Sequence, residues 1–230
     1  MSKKKAEREA RKLIRDYSLA IGGSILIAVF IRFFVLEAYR MPSRAMQPAV
    51  EPGDTLFVSK FSYGFRIPGS QSRIGASVPQ YGDVVVLEFP DEPGREYIKR
   101  VVGLPGDRVQ LGKSALLLNG KPVTVPAVNN DTCTTEVLPN SKSYEVCYEP
   151  PVLILENEIT VPESHVYVTG DLRSAPFEAR RLKSAGLAPV SLIRGKALFV
   201  WLSIQPPGSM GTGSDWFSRI RMDRLFKRIH

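Results

Sequence analysis

The chain has 230 residues, with 31 Lys and Arg against 23 Asp and Glu, a net charge of +8 and 43% apolar residues. Length and composition fit one or two globular domains and exclude collagen-like and low-complexity chains. Two Cys and two His exclude a disulfide-dense mini-protein, a four-cysteine zinc module and a His-rich metal centre, so no metal and no cofactor is expected.

Residues 1–16 are basic, with a net charge of +4, and are expected on the cytoplasmic side of a membrane. An apolar run, SLAIGGSILIAVFIRFFVL, follows from Ser18 to Leu36. As a helix it would rise about 28 Å, close to one hydrocarbon thickness. Arg32 is its one charge and sits within reach of the headgroups. A transmembrane anchor helix is therefore expected over 17–38. A cleavable secretory leader fits less well. Its apolar stretch is shorter, and Glu37-Ala38-Tyr39-Arg40 is a poor cleavage site.

Beyond residue 50 the pattern turns to strands. Gly53-Asp54, Gly82-Asp83 and Gly106-Asp107 each precede a short apolar run: TLFVSKF, VVVLEF and RVQL. YIKRVVG, ALLLNGKPV, PVLILE, SHVYVTG and KALFVWLS are also β-rich. Asn119-Gly120 marks a hairpin. A mainly β, extracytoplasmic domain of antiparallel sheets is expected over 40–215, with 124–163 as an insertion. Cys133 and Cys147 flank a polar, turn-rich stretch. In an oxidising compartment they would close a loop worth about 3 kcal/mol, the alternative being two unpaired thiols. The tail 216–230, WFSRIRMDRLFKRIH, is basic and amphipathic. It is expected either to lie on anionic lipid or to dock on the domain. The two basic ends together carry the whole net charge, so the middle is neutral. A nucleic-acid groove, which needs a basic stripe across the fold, is excluded.

Four sequence blocks point further. They are MPSRAMQPAVEPGD (41–54), GDVVV (82–86), YIKRVVGLPGD (97–107) and GDLR (170–173), followed by Glu178 and Arg180. In this order the chain resembles bacterial type I signal peptidases, membrane-anchored Ser/Lys proteases that remove signal peptides. The resemblance implies a signal-peptidase-like β domain of coiled antiparallel sheets behind one transmembrane helix. It also implies an inner-membrane location, with the main domain periplasmic. The family pattern P-S-x-S-M-x-P-T places its nucleophilic Ser where this chain has Ala45. Ser43 matches the Ser whose hydroxyl helps form the oxyanion hole, and Lys99 matches the general base. In the pattern G-D-N-R-x-x-S-x-D-S-R, the residues Gly170, Asp171, Arg173 and Arg180 match. Leu172 replaces Asn, Pro176 replaces the Ser that orients the base, and Glu178 replaces Asp. Ala49 replaces Thr in the first block.

A methyl group has no lone pair with which to attack a carbonyl carbon, so the chain as written is expected to be inactive. Losses at Ala45, Ala49, Leu172 and Pro176 together favour a diverged homologue over a single Ser→Ala change in an active peptidase. The codon at position 45 in the native gene separates these two readings. The expected partners are the membrane, signal peptides or preproteins in extended form, and an active signal peptidase. A non-enzymatic membrane-surface protein is the further alternative.

Overall fold

The computed structural model describes residues 3–30, 36–66, 73–75, 77–112, 115–125, 132–149, 157–173, 186–206 and 217–229. The chain divides into two units, Met1–Glu37 and Ala38–His230.

The first unit is built on one helix, α1 (Lys3–Phe30). The expected anchor over 17–38 is not seen as a single helix. The apolar part within α1, residues 18–30, rises only about 20 Å. No helix among the described residues is long and apolar enough to cross a membrane. Residues 31–35 lie outside the described residues, and Leu36–Arg40 is strand rather than helix. The reason is local: Leu36–Arg40 takes its place at the edge of a sheet.

The second unit is mainly β. Its principal sheet has seven strands. They are β1 (Leu36–Arg40), β2 (Asp54–Ser59), β5 (Val84–Glu88), β6 (Glu96–Gly103), β13 (His165–Thr169), β14 (Leu187–Pro189) and β15 (Ile193–Ser203). Their order is β1-β2-β15-β5-β6-β13-β14. The 11-residue β15 pairs with both β2 and β5, with register shifts along each pairing. Such bulges bend a strand and let one sheet curl. A four-stranded sheet, in the order β12-β7-β8-β9, comprises β7 (Arg108–Leu111), β8 (Leu116–Leu118), β9 (Lys121–Pro122) and β12 (Ile159–Thr160). Asn119 and Gly120 both have positive φ between β8 and β9, as the Asn-Gly hairpin signal requires. Two short ladders complete the set: β3 (Phe65–Arg66) with β4 (Arg73–Ile74), and β10 (Cys133–Val137) with β11 (Ser143–Cys147). PVLILE, residues 151–156, lies outside the described residues.

The recurring Gly-Asp pairs have one structural cause. Gly53, Gly82 and Gly106 all have positive φ, which an L side chain resists. Each following Asp is buried and accepts the amide three residues back. Asp54 takes Glu51 N–H at 2.9 Å, Asp83 takes Gln80 N–H at 3.0 Å, and Asp107 takes Leu104 N–H at 2.7 Å. The pair is a turn device that sets the start of β2, β5 and β7.

Cys133 and Cys147 face each other across the β10–β11 hairpin and form a disulfide. Described residues of the 124–163 segment pack into the core. Leu138, Tyr144, Val146 and Val161 join Val102, Val109, Leu111 and Tyr167 in one buried cluster. The Cys133, Glu145 and Cys147 ligand atoms come within 4.8 Å of one another, but both sulfurs are committed to the disulfide.

Residues 217–229 of the tail dock on the domain. Arg224 is buried and binds Asp54 at 2.6 Å, Glu51 at 3.1 Å and the Ala49 carbonyl at 3.1 Å. Arg221 binds Ser203 Oγ at 2.7 Å and pairs with Glu51. Arg219 donates to the Gln205 carbonyl at 2.6 Å. The guanidinium forks meet fixed carboxylates, and this geometry opposes release of the tail to a lipid surface.

Burial alone would raise the Asp54 carboxyl. Hydrogen bonds from Arg224, the Glu51 amide and Ser203 outweigh it and hold the pKa below the ordinary value. A carboxyl depressed on folding stabilises above its unfolded pKa, and this contribution fades as pH falls through the folded value. Arg224→Met is therefore expected to cost about 3 kcal/mol at neutral pH, because a buried carboxylate loses a partner. It is also expected to move the acid unfolding midpoint to higher pH. Chemical denaturation at pH 7 and an acid titration followed by circular dichroism check both. An unchanged acid midpoint would count against this account.

Candidate active site

The first motif leaves β1 and turns at once into the core. Met41 donates its amide to the Asp54 carbonyl at 2.7 Å and accepts from Gly53 at 2.9 Å. Met46 and Val50 are fully buried and pin the following turn. Within it, Gln47 N–H donates to the Arg44 carbonyl at 2.9 Å, and Val50 N–H to the Met46 carbonyl at 2.8 Å. The Gln47–Pro48 peptide is cis. Arg44 ties the turn outward, to Gln47 at 2.7 Å and to Glu149 at 3.0 Å.

Ala45 lies on this turn and is 9% exposed. Its amide meets Ser43 Oγ at 3.4 Å, a long contact. Its carbonyl accepts the Leu172 amide at 3.1 Å. Gly170 packs so closely that a Cβ there would fall 2.3 Å from the Ala45 oxygen. That contact requires glycine at 170, and it accounts for the Gly of the Gly170-Asp171 pair.

Lys99 comes from the centre of β6, opposite Val85 of β5, and is 8% exposed. Ser43, Ala45 and Lys99 line one cleft of about 190 Å³. Tyr39, Met41 and Tyr97 form its walls. The structure thus brings together three of the residues singled out in the sequence. Ser43 is the one aliphatic hydroxyl among the residues that line this cleft. Pro176, Glu178 and Arg180 lie outside the described residues.

Behind the cleft sits a buried ionic network that the motifs alone do not reveal. Arg100 and Asp171 form a two-point pair, both bonds 2.7 Å, with neither side chain exposed. Arg100 also donates to the Gly82 carbonyl at 2.9 Å and lies 4.2 Å from the centre of the Tyr144 ring. Arg173 donates to Glu136 at 2.5 Å, to Thr169 Oγ1 at 2.5 Å and to the Gly170 carbonyl at 2.8 Å. Tyr144 donates its hydroxyl to Glu136, and burial pushes its phenol well above the ordinary pKa. The Cys147 amide donates to the Asp171 carbonyl at 2.9 Å, and the Arg173 amide to the Cys147 carbonyl at 2.6 Å. The disulfide-closed hairpin therefore holds the Gly170–Arg173 segment, which in turn contacts the Ala45 carbonyl.

Glu136 and Tyr144 carry no local signal. They stand on the hairpin, and their charged partner is 37 residues from Glu136. Arg100 offers one cue, a charge inside the apolar strand EYIKRVVG whose other residues after Glu96 are all buried.

Residues 14–202 match the family model for signal peptidase, peptidase S26. The chain belongs to this family. Signal peptidase I of Pseudomonas aeruginosa is 32% identical over 85% of this chain and 75% of its own length. Signal peptidase I of Rickettsia typhi is 28% identical over 90% of each. A crystal structure of a signal peptidase I from Enterococcus faecalis V583 superposes with a TM-score of 0.34 at 22% identity, covering 52% of this chain and 97% of that one. Membership places the chain in a serine peptidase family concerned with signal peptide processing.

Proposed function

We propose that this member of the signal peptidase family binds signal peptides or preproteins without cleaving them. The observation that carries the reading is Ala45. The position that the resemblance assigns to the nucleophile holds a methyl group, in a cleft shared with Ser43 and Lys99. A serine protease reaction needs the Ser oxygen to form the acyl-enzyme. Without it Lys99 has no hydroxyl to deprotonate at position 45. Ser43 does not take over that role. It lies on the approach to a turn, two residues away, and catalysis tolerates little displacement of its reacting atoms.

Binding can survive the loss. β1 ends the seven-stranded sheet and leads directly to Ala45. An extended peptide added beside β1, running in the same direction, would bring its C-terminal end to the cleft.

The reading includes attachment to the membrane, with residues 1–16 cytoplasmic and the β unit on the other side. It is supported by the basic segment before the apolar run 18–36. Exposed Phe217, Met222 and Phe226 on the docked tail give the β unit an apolar contact of its own. An active signal peptidase is a further partner consistent with a chain that binds and does not cut.

The test is an equilibrium titration of the full chain with a labelled preprotein, followed by fluorescence anisotropy. Saturable binding that an excess of unlabelled signal peptide displaces is expected. Absence of binding up to millimolar peptide would overturn the proposal.

A further inference from the structure

We infer that a second cleft, where the β10–β11 hairpin meets the Gly82-Asp83 turn and β15, binds the phosphate group of a small ligand. This goes beyond the peptide-binding reading and does not depend on it. The cleft has a volume of about 520 Å³, within the roughly 300–1,000 Å³ of small-molecule sites. Asp83, Lys142, Ser143 and Lys196 line it, with Val84 and Ile229 as its apolar part. It shares no lining residue with the cleft at Ala45.

The two lysines come from different elements and reach one atom. Lys142 stands just before β11, and Lys196 stands on β15. Asp83 Oδ1 lies 3.3 Å from Lys142 Nζ and 2.7 Å from Lys196 Nζ. The nitrogens are therefore at most 6.0 Å apart, the sum of those two distances. The other carboxylate oxygen, Oδ2, accepts the Tyr63 hydroxyl and the Gln80 amide, each at 3.0 Å. A Cβ at Gly82 would fall 3.1 Å from Lys142 Cδ, so the lysine stem lies across the glycine.

Charge is left over at this point. Asp83 is the one acid among the described residues that line the cleft. Burial alone would raise its carboxyl, but bonds from Lys196, the Gln80 amide and Tyr63 hold its pKa below the ordinary value. One carboxylate offsets one of the two ammonium charges. Like charges this close repel, and an anion that touches both removes the repulsion. An ammonium carries three N–H donors. Each lysine directs one to Asp83, so both ion pairs persist when the anion arrives. Access favours the same result. The lysine side chains are 42% and 31% exposed, whereas Asp83 is 2% exposed. An incoming anion meets the ammonium groups and not the carboxylate. Phosphate fits better than a second carboxylate. A planar carboxylate matches the planar fork of arginine, while an ammonium is a point charge that a tetrahedral set of oxygens meets from any side.

The experiment titrates the unaltered full chain, in a nonionic and phosphate-free detergent, with inorganic phosphate. A parallel arm uses glycerophosphoglycerol, the soluble headgroup of an anionic lipid. Binding is followed by phosphorus NMR line broadening at constant ionic strength, set with chloride. Saturable binding in the millimolar range is expected. Tighter binding of glycerophosphoglycerol assigns the cleft to a lipid headgroup, and tighter binding of inorganic phosphate assigns it to the free ion. Lys142→Met leaves Asp83 its bonds to Lys196, Tyr63 and Gln80, so the fold is retained. It is expected to weaken binding about 10-fold, the size of one lost charge-assisted bond. Lys142→Glu, which sets a second acid in the cleft, is expected to abolish binding. No saturation by either ligand up to about 10 mM would overturn the inference. So would an affinity unchanged in Lys142→Met, or binding that persists in Lys142→Glu. None of these results bears on peptide binding at Ala45.

Discussion

Glu136→Ala is expected to lower stability by about 3–5 kcal/mol, the cost of leaving a buried charge without its partner. The charge left behind is Arg173, whose side chain is 1% exposed, as Glu136 is 0% exposed. Tyr144 loses the acceptor of its hydroxyl in the same step. Water cannot replace the carboxylate without opening the cluster of Leu138, Tyr144 and Val146. Urea denaturation measures the loss. Glu136→Leu combined with Arg173→Met is expected to recover most of it, because an apolar pair needs no desolvation. A loss below about 1 kcal/mol for Glu136→Ala, typical of exposed pairs, would show that the network does not hold the hairpin to the Gly170–Arg173 segment.

Ala45→Ser is the second large effect, in activity rather than stability. The restored hydroxyl would share the cleft with Lys99, so some cleavage is expected. It should remain about 100-fold or more below an active relative such as signal peptidase I of Pseudomonas aeruginosa. The resemblance places the base-orienting hydroxyl at Pro176, and a correctly positioned base contributes about 10²–10⁴-fold. The comparison is kcat/KM on one preprotein for both proteins. Activity within 10-fold of the relative would mean that the departures at Ala49, Leu172 and Pro176 carry no catalytic cost.

Much of this was legible in the chain itself. The Gly-Asp pairs mark turns because a positive-φ glycine and an acid that closes on its own backbone are local requirements. Strands β2, β5, β6, β7, β8, β13 and β15 follow from short apolar runs. The Cys133–Cys147 disulfide follows from a turn-rich stretch between two cysteines. The site residues Ser43, Ala45 and Lys99 could be named only through the family resemblance that the motifs carry.

What stayed hidden depends on distance along the chain. Glu136 meets Arg173, and Arg224 meets Asp54, across separations of 37 and 170 residues. No periodicity reports such pairs. The tail illustrates the point. Its basic and aromatic residues match a lipid-facing segment as well as a docked one, and only the acids Glu51 and Asp54 decide between them. The end of α1 was likewise open. The apolar run continues past Phe30, but pairing at the sheet edge claims Leu36–Arg40 as strand. The turn at Ala45 is a third case, because two buried side chains, Met46 and Val50, fix it rather than any local signal.

The central claim is that the chain engages a secreted protein's leader and leaves it whole. Mass spectrometry of a preprotein after prolonged incubation with an excess of the unaltered chain tests it most directly. The account predicts a single species at the full-length mass. A shortened product, absent from a control without the chain, would contradict it, and its loss on Ser43→Ala would assign the cleavage to Ser43.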